Sequence, residues 1–398
     1  MMPALCGGYS YMTTLLLALI YLAFISLGLP DSLLGSGWPV MHTELQVPVS
    51  WMGVLSMAVS AGTIVSSLVS YKVTRKFGTR WVTILSVFMT ALALFGYSLS
   101  SAFWQLILFS VPYGLGAGAI DAALNNYVAQ HYSSRDMSWL HCFWGVGTII
   151  SPFAMNYALV HSGWHMGYRI IAILQTCIGV VLLLTNRVWN VHQEQGEDEK
   201  GKSLSLKEVV RIKGVPYILT GFFCYCALES TSMNWASTYL VEVKSIDPET
   251  AAGFASLFYI GITIGRFLSG FITNKLGDRN MIRLGTSILC LGVVMLLLPV
   301  QAEIIALAAF IIIGLGCAPI YPCIVHSTPY NFGNENSGAI IGIQMACAYL
   351  GNTFMSPLFG VLGKNISFQL LPWYIGFFMA VMIFMTETTF RIAKERKE

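Results

Sequence analysis

The sequence is short of charge. Asp, Glu, Lys and Arg make up only 10% of its 398 residues, against about 25% in an ordinary soluble protein. So few charges cannot clothe a water-exposed surface, which excludes a soluble enzyme. An apolar content of 56% excludes intrinsic disorder as well, because such a chain has ample surface to bury. The net charge of +3 is too small to suggest a nucleic-acid partner. No Lys or Arg precedes Lys72. The apolar run from Leu15 therefore lacks the basic flank of a secretion signal and reads as a first membrane span. The nine cysteines show no metal or redox spacing. Cys142, Cys177, Cys290, Cys317 and Cys347 lie in apolar runs, where a thiol acts as a small apolar group. HExxH, Gly-x-Ser-x-Gly and aspartate-rich metal motifs are missing. Gly114–Gly118 is followed by no Lys-Ser/Thr and preceded by no strand pattern, so a nucleotide site is rejected. The expectation is a non-enzyme with no metal and no cofactor beyond a coupling ion, proton or sodium.

What the chain does have is apolar segments of membrane length, about 20 residues each. They fall near 13–38, 51–71, 81–100, 103–129, 138–161 and 167–187. A polar stretch follows from Asn190 to Lys213, holding Glu194, Glu197, Asp198, Glu199, Lys200 and Lys202. Six more apolar segments lie near 215–241, 250–273, 281–299, 303–325, 335–362 and 368–390. The expected fold is an all-α membrane protein of twelve transmembrane helices in two six-helix bundles. The expected division is 1–189, a linker over 190–213, and 214–398.

Basic residues set the expected orientation. Lys72, Arg75, Lys76 and Arg80 lie between spans 2 and 3, and Arg135 between 4 and 5. Arg187 and five more lie at or in the central stretch, Lys275, Arg279 and Arg283 between spans 8 and 9, and four in the tail. That places 18 of the 22 basic residues on one side. Only Arg169, Lys244 and Lys364 lie on the other, and Arg266 sits inside a span. The enriched side is expected to be the cytoplasm, with both termini there, in a plasma or inner membrane.

An internal repeat runs through the chain. The segment 70–80, Ser-Tyr-Lys-Val-Thr-Arg-Lys-Phe-Gly-Thr-Arg, pairs with 269–279, Ser-Gly-Phe-Ile-Thr-Asn-Lys-Leu-Gly-Asp-Arg, 199 residues later. Gly114-Leu115-Gly116 pairs with Gly314-Leu315-Gly316, and Ser151-Pro152 with Ser356-Pro357. Three matches in order, each offset by half the chain, indicate two related halves. Transporters built from repeats hold their substrate between the halves, near the bilayer midplane.

These motifs resemble the major facilitator superfamily. Lys275-Leu276-Gly277-Asp278-Arg279 looks like the superfamily loop between spans 8 and 9. Its partner between spans 2 and 3 departs from the pattern, with Thr74 for the usual Asp and Tyr71 for the first Gly. Within the superfamily the chain is similar to the fucose permease branch. The residues that carry this are Pro30-Asp31-Ser32-Leu33-Leu34, the span-4 run from Gly118 to Tyr127, Cys224 to Glu229 with Trp235 and Tyr239, and Gly265-Arg266-Phe267. The resemblance implies that the acidic residues of spans 1 and 4, here Asp31 and Asp121, serve proton coupling and sugar recognition. The branch's fucose permease carries a sugar-contacting Asn early in span 5. Here that region reads Leu140-His141-Cys142, so His141 is the neighbouring candidate.

The residues themselves point the same way. A charge inside a span costs about 2.5–3.5 kcal/mol on insertion scales and usually faces a cavity or a partner. Asp121 lies mid-span, and Gly114, Gly118, Asp121 and Asn125 recur at helical spacing on one face. Desolvation there disfavours the charged carboxylate, as a proton carrier needs. The competing reading is a hydrogen-bond anchor between helices. Asp31 follows Pro30 and precedes Gly35 and Gly37, a pattern for a kinked helix lining a cavity; an interfacial position competes. Asn125, Glu229, Trp235, Tyr239 and Gln344 are candidate substrate ligands, with carboxylate and amide for hydroxyls and rings for a sugar's apolar faces. A broken span 7 would be needed to bring Glu229 to the face of Trp235 and Tyr239. An aromatic belt is the competing reading for the two rings, and an interhelical hydrogen bond for Gln344. His141 could carry a proton near neutral pH or serve structure. Arg266 reads as a gate or helix anchor. With it, Lys72, Arg75, Arg80, Lys275, Gly277, Asp278 and Arg279 are the candidate conformational residues. Gly261, Gly265 and Ser269, and Gly338, Gly342 and Ala346, read as packing seams, and Pro319 and Pro322 as kinks in span 10.

The functional expectation is a monomeric secondary active transporter in a lipid bilayer, moving a small polar solute by alternating access. A sugar carried by proton symport fits the resemblance. An exporter of drugs or amphiphiles on the same fold, and sodium-coupled uptake, stand as alternatives. The segment Gly147 to Pro152 lacks the Gly-Pro pair of many exporters.

Overall fold

The computed structural model describes residues 3–191, 206–298 and 303–396. Among them there is helix and no strand. This is what lipid demands, since each backbone N–H and C=O must find its partner within its own segment.

The first membrane segment is α1 (Pro3–Gly28) followed by α2 (Leu33–Glu44). The chain turns over residues 29–32, at Pro30. Next come α3 (Trp51–Leu99), α4 (Phe103–His131), α5 (Ser134–His161) and α6 (Trp164–Leu184). A short α7 (Leu206–Arg211) precedes α8 (Val215–Glu242), α9 (Pro248–Leu276), α10 (Asp278–Leu297), α11 (Glu303–Cys317) and α12 (Ile320–Phe332). The chain closes with α13 (Asn334–Leu350), α14 (Ser356–Asn365) and α15 (Leu371–Glu395).

Nine described segments are long and apolar enough to cross a membrane. One of them, α3, is two spans joined at Gly78, whose φ of 79° and ψ of 151° leave the helical region. The 28-residue α8 and the 29-residue α9 complete a set of twelve. The span-10 break falls at Ala318 and Pro319, between α11 and α12. Span 11 passes from α13 to α14 through a π-helical stretch, Gly351–Met355, ahead of Pro357.

Two expectations about local structure need correction. The basic motif between spans 2 and 3 is not an open loop: Lys72 and Arg75 stand on the last turns of the first half of α3, and Arg80 opens the second half. Lys275 likewise lies on α9 and Asp278 begins α10. One positive-φ glycine reverses the chain in each case, so no longer loop is required. Span 7 is also unbroken, because α8 runs from Val215 to Glu242 without interruption. Of the expected linker, residues 192–205 lie outside the described residues.

The chain divides into two compact units. Unit 1 comprises Met1–Leu124 and Phe143–Ser203, and unit 2 comprises Asn125–Cys142 and Leu204–Glu398. The tip of the α4–α5 hairpin thus belongs to unit 2.

Each unit uses the same close helix crossings. In unit 1, a Cβ on Gly62 of α3 would meet Gly114 Cα at 3.2 Å. In unit 2, a Cβ on Gly261 of α9 would meet Ile311 O at 3.0 Å and Gly314 Cα at 3.7 Å. These pairs are equivalent in the sequence repeat. So are the α1–α5 crossing, where Gly28 abuts the Trp144 carbonyl, and the approach of Gly351 to Phe223 O and Ala227 N on α8. Small residues at these points let backbones touch, which is how helices associate when surrounded by lipid.

Candidate functional site

In unit 1 the α1–α5 crossing positions Asp31. Gly28 and Gly147 leave no room for a Cβ on either helix. The chain leaves α1 at this contact, turns at Pro30, and so delivers Asp31 beside α5. Trp144 Nε1 donates to Asp31 Oδ2 at 2.9 Å, and Tyr113 OH of α4 donates to Oδ1 at 3.3 Å. Asp31 keeps an exposed surface. Asp121 is 5% exposed, and its charge and that of Asp31 repel. Both donors to Asp31 are neutral groups.

The glycine stripe of α4 docks on α3. Ser66, Ser67 and Ser70 donate to the carbonyls of Gly114, Gly118 and Ala119 at 3.4, 3.3 and 3.2 Å. The face that carries Gly114 and Gly118 is thereby a packing surface.

In unit 2 two candidates meet. His141 Nε2 donates to Asn125 Oδ1 at 3.0 Å, and the His141 ring lies 4.6 Å from that of Tyr321. Asn125 Nδ2 faces Met345 Sδ at 3.9 Å. Nearby, Gln130 Nε2 donates to Ser337 Oγ at 2.7 Å, and Ser337 Oγ to Asn126 Oδ1 at 2.9 Å.

Glu229 and Arg266 also come together, which their separate assignment to substrate and gate did not anticipate. Arg266 Nη2 donates to Glu229 Oε1 at 3.3 Å, and Tyr225 OH donates to the same oxygen at 2.9 Å. The arginine is 3% exposed. Tyr225 lies one helical turn before Glu229, so α8 itself supplies this donor.

The remaining ligand candidates are occupied. Trp235 Nε1 donates to Ser356 O at 2.9 Å, and its ring stacks on Phe368 at 5.6 Å. Tyr239 OH donates to Leu296 O at 3.2 Å. Because α8 is unbroken, neither ring shares the face of Glu229. Gln344 is fully buried and accepts from Thr328 Oγ1 at 3.1 Å, an interhelical bond. Its Nε2 has no partner among the described residues.

The motif at the α9–α10 junction forms a third cluster. Asp278 Oδ1 accepts from Ser134 Oγ at 2.5 Å, and Oδ2 from His326 Nδ1 at 2.7 Å. His326 Nε2 reaches Tyr132 O at 3.2 Å. Arg135 N donates to Asn274 Oδ1 at 3.1 Å, and Trp139 Nε1 to Phe267 O at 3.3 Å. Arg279 and Arg283 converge on Glu387, with closest N–O distances of 2.6 Å each. Lys72, Arg75 and Lys275 are exposed, Gly277 makes the turn, and Arg80 lies 5.2 Å from the Trp81 ring.

Trp144, Tyr113, Ser134, His326 and Glu387 escaped the sequence reading. Glu387 alone left a trace, as a single acid in the apolar final span. The others are ordinary polar or aromatic residues whose role comes from partners far away in the chain. Among the described residues, no cluster of three or more His, Cys, Asp or Glu is arranged to hold a metal.

Comparison with known proteins agrees with this architecture. The glucose/mannose transporter GlcP of Bacillus subtilis is 21% identical over 323 residues, covering 79% of this chain and 78% of its own. Two solved structures share the fold. The E. coli fucose:proton symporter FucP has a TM-score of 0.76 at 17% identity, covering 96% of this chain and 99% of its own. The proton:xylose symporter XylE has a TM-score of 0.74 at 14% identity, covering 95% of this chain and 96% of its own. The family profile matches residues 20–354, nearly the whole repeat-bearing membrane region, and the chain belongs to the Major Facilitator Superfamily.

Proposed function

We propose that this protein is a secondary active transporter that carries a sugar together with protons by alternating access. One observation carries the reading. Asp31 is an accessible carboxylate at a helix break, held among the described residues by the neutral donors Trp144 and Tyr113, and it repels the buried Asp121. Repulsion between two carboxylates is relieved when one of them takes up a proton. A proton can therefore enter and leave without separating a fixed ion pair. Its arrival removes a buried charge and eases reorientation of the carrier. Glu229 and the Asn125–His141 pair are the polar groups assigned to sugar hydroxyls, while Trp235, Tyr239 and Gln344 serve helix packing. That GlcP, FucP and XylE are sugar transporters supports a sugar as the cargo.

In this reading the two halves are 1–189 and 214–398, joined by a cytoplasmic linker. The basic side, with Asp278, Arg279 and Arg266, controls access from the cytoplasm of a plasma or inner membrane. Ser134 and Tyr132 on the hairpin tip bind the Asp278–His326 pair there, so their separation accompanies opening.

Uptake of D-glucose and D-mannose into proteoliposomes under an imposed pH gradient tests the proposal. Wild type should accumulate one of them only when the outside is acidic. Asp121→Asn and Asp31→Asn should abolish accumulation while leaving exchange of labelled sugar. Transport by Asp121→Asn that follows pH as wild type does would overturn the proton assignment. Dependence on sodium at fixed pH would replace the proton by sodium.

A further inference from the structure

The repeat places one carboxylate at nearly the same point of each half. Aligning Gly78 with Gly277 sets Asp31 opposite Ser230, one residue from Glu229. The surroundings differ in one respect. Asp31 is held by an indole N–H and a phenol O–H. Glu229 is held by a phenol O–H and by the Arg266 guanidinium. The residue equivalent to Arg266 in the first half is Ser67, whose hydroxyl bonds the Gly118 carbonyl. The fold is duplicated, and the counter-charge is not.

The geometry around Glu229 is directional. Arg266 and Tyr225 both bind Oε1. The side chain of Glu229 is 15% exposed and that of Arg266 4%. The guanidinium is therefore the more deeply buried partner, and the carboxylate keeps some accessible surface. The groups around the pair are Tyr225 and Cys226 of α8, Cys317 of α11, Tyr321 of α12, and His141 and Cys142 of α5. Among these described residues Glu229 is the one acid and Arg266 the one permanent cation.

An arginine keeps its charge in any protein environment. A desolvated carboxylate with no counter-charge takes up a proton, and an opposite charge at this distance opposes that. An ionised carboxylate is an acceptor only, and a sugar hydroxyl is a matching donor. We propose that Arg266 is a positioning residue that holds Glu229 as a charged acceptor for the hydroxyls of an uncharged sugar. The Glu229–Arg266 pair has no net charge, so it offers nothing to a sugar acid or a sugar phosphate. This rests on the sugar-transport reading above and narrows it to neutral sugars.

The test uses full-length protein in proteoliposomes. Binding and uptake of D-glucose, D-mannose, D-glucuronate and glucose 6-phosphate are measured from mildly acidic to mildly alkaline pH. Loss of a charged hydrogen bond in Glu229→Gln should weaken binding of the neutral sugar about tenfold or more, with the pH response of uptake retained. Arg266→Met should show weak sugar binding that recovers as pH rises, and Arg266→Lys should remain close to wild type. Where Arg266→Met fails to fold, the double variant Glu229→Gln/Arg266→Met, which buries no lone charge, should fold and bind sugar as weakly as Glu229→Gln. Infrared difference spectra between wild type and Glu229→Gln should show an ionised Glu229 across this pH range, and Arg266→Met a protonated one. Sugar binding by Glu229→Gln as tight as wild type would overturn the inference while leaving sugar transport standing. Tighter binding of D-glucuronate by Glu229→Gln would overturn it by making Arg266 a direct anion ligand. Wild type that binds none of the four sugars would overturn the transport reading, and the infrared comparison would still decide the role of Arg266.

Discussion

Gly78 and Gly277 hold nearly the same backbone conformation, φ 79° and ψ 151° in one, φ 76° and ψ 157° in the other. Both occupy the glycine position of the repeated basic motif. This region of φ and ψ is open almost only to glycine and is distinct from the left-handed helical region that Asn tolerates. Each glycine reverses the chain between two spans in a single residue.

Gly277→Ala should therefore destabilise the protein by about 1–3 kcal/mol. Nothing lies within 4 Å of a Cβ built at Gly277, so the effect comes from the backbone alone. Gly277→Asn should be no better than Ala, because ψ near 157° is not where Asn is at ease. Thermal unfolding in detergent measures both. A rescue by Asn would show that the turn relaxes into the left-handed helical region.

His326 should make one contact of unit 2 sensitive to pH. Its Nδ1 faces the Asp278 carboxylate and its Nε2 the Tyr132 carbonyl, at 2.7 and 3.2 Å. Both partners accept, so only the doubly protonated ring satisfies both bonds. The sign follows directly: the contact is complete when His326 is charged and loses one bond as rising pH removes a proton. Labelling of Ser133→Cys on the hairpin tip should accelerate with rising pH more steeply in the wild-type background than the growing thiolate fraction alone provides. With His326→Gln, which keeps one donor and no charge, only the thiolate-driven rise should remain. Equal pH dependence in both proteins would assign the effect elsewhere.

The spans, the repeat and the intramembrane charges were legible because each is a local pattern: run length, spacing, or a rare residue in an apolar stretch. Asp121 and Arg266 stood out for that reason. Pairing was not legible. Glu229 lies 37 positions from Arg266, and Asp31 lies 113 from Trp144. No periodicity joins residues on different helices; the glycine crossings decide which ones meet. Pro30 announced the break in span 1. A break in span 7, which would be needed to bring Glu229 to the face of Trp235 and Tyr239, has no proline or glycine within 222–242 behind it, and α8 is continuous. Trp235 and Tyr239 were attractive as sugar platforms because aromatic residues serve ligands and helix packing alike, and only their bonds to Ser356 and Leu296 separate the two uses.

Glu387 should matter modestly for stability and more for salt response. It binds both Arg279 and Arg283, whose side chains are 40% and 50% exposed. Half-exposed pairs are screened, so Glu387→Gln should lower stability by only about 0.5–1 kcal/mol at low salt. The difference from wild type should shrink as salt is raised. A difference that persists at high salt would mean that packing of the side chain, rather than its charge, holds α15 against α10.

The serine ladder of α3 gives the most specific packing prediction. A Cβ on Gly118 would collide with Ser66 Oγ and with the Thr63 carbonyl. Gly118→Ala should therefore cost about 1–3 kcal/mol, the usual effect of overfilling a close-packed site. The two obstacles differ in kind. Ser66→Ala removes its hydroxyl, which also donates to the Gly114 carbonyl at 3.4 Å, whereas the Thr63 carbonyl is backbone and cannot be removed. The double variant Ser66→Ala/Gly118→Ala should recover part of the loss and never all of it. Residues in contact couple, so the two single effects should fail to add by about 0.5 kcal/mol or more. Additive losses in thermal unfolding would show that α3 and α4 separate to admit the methyl group instead of clashing at Ser66.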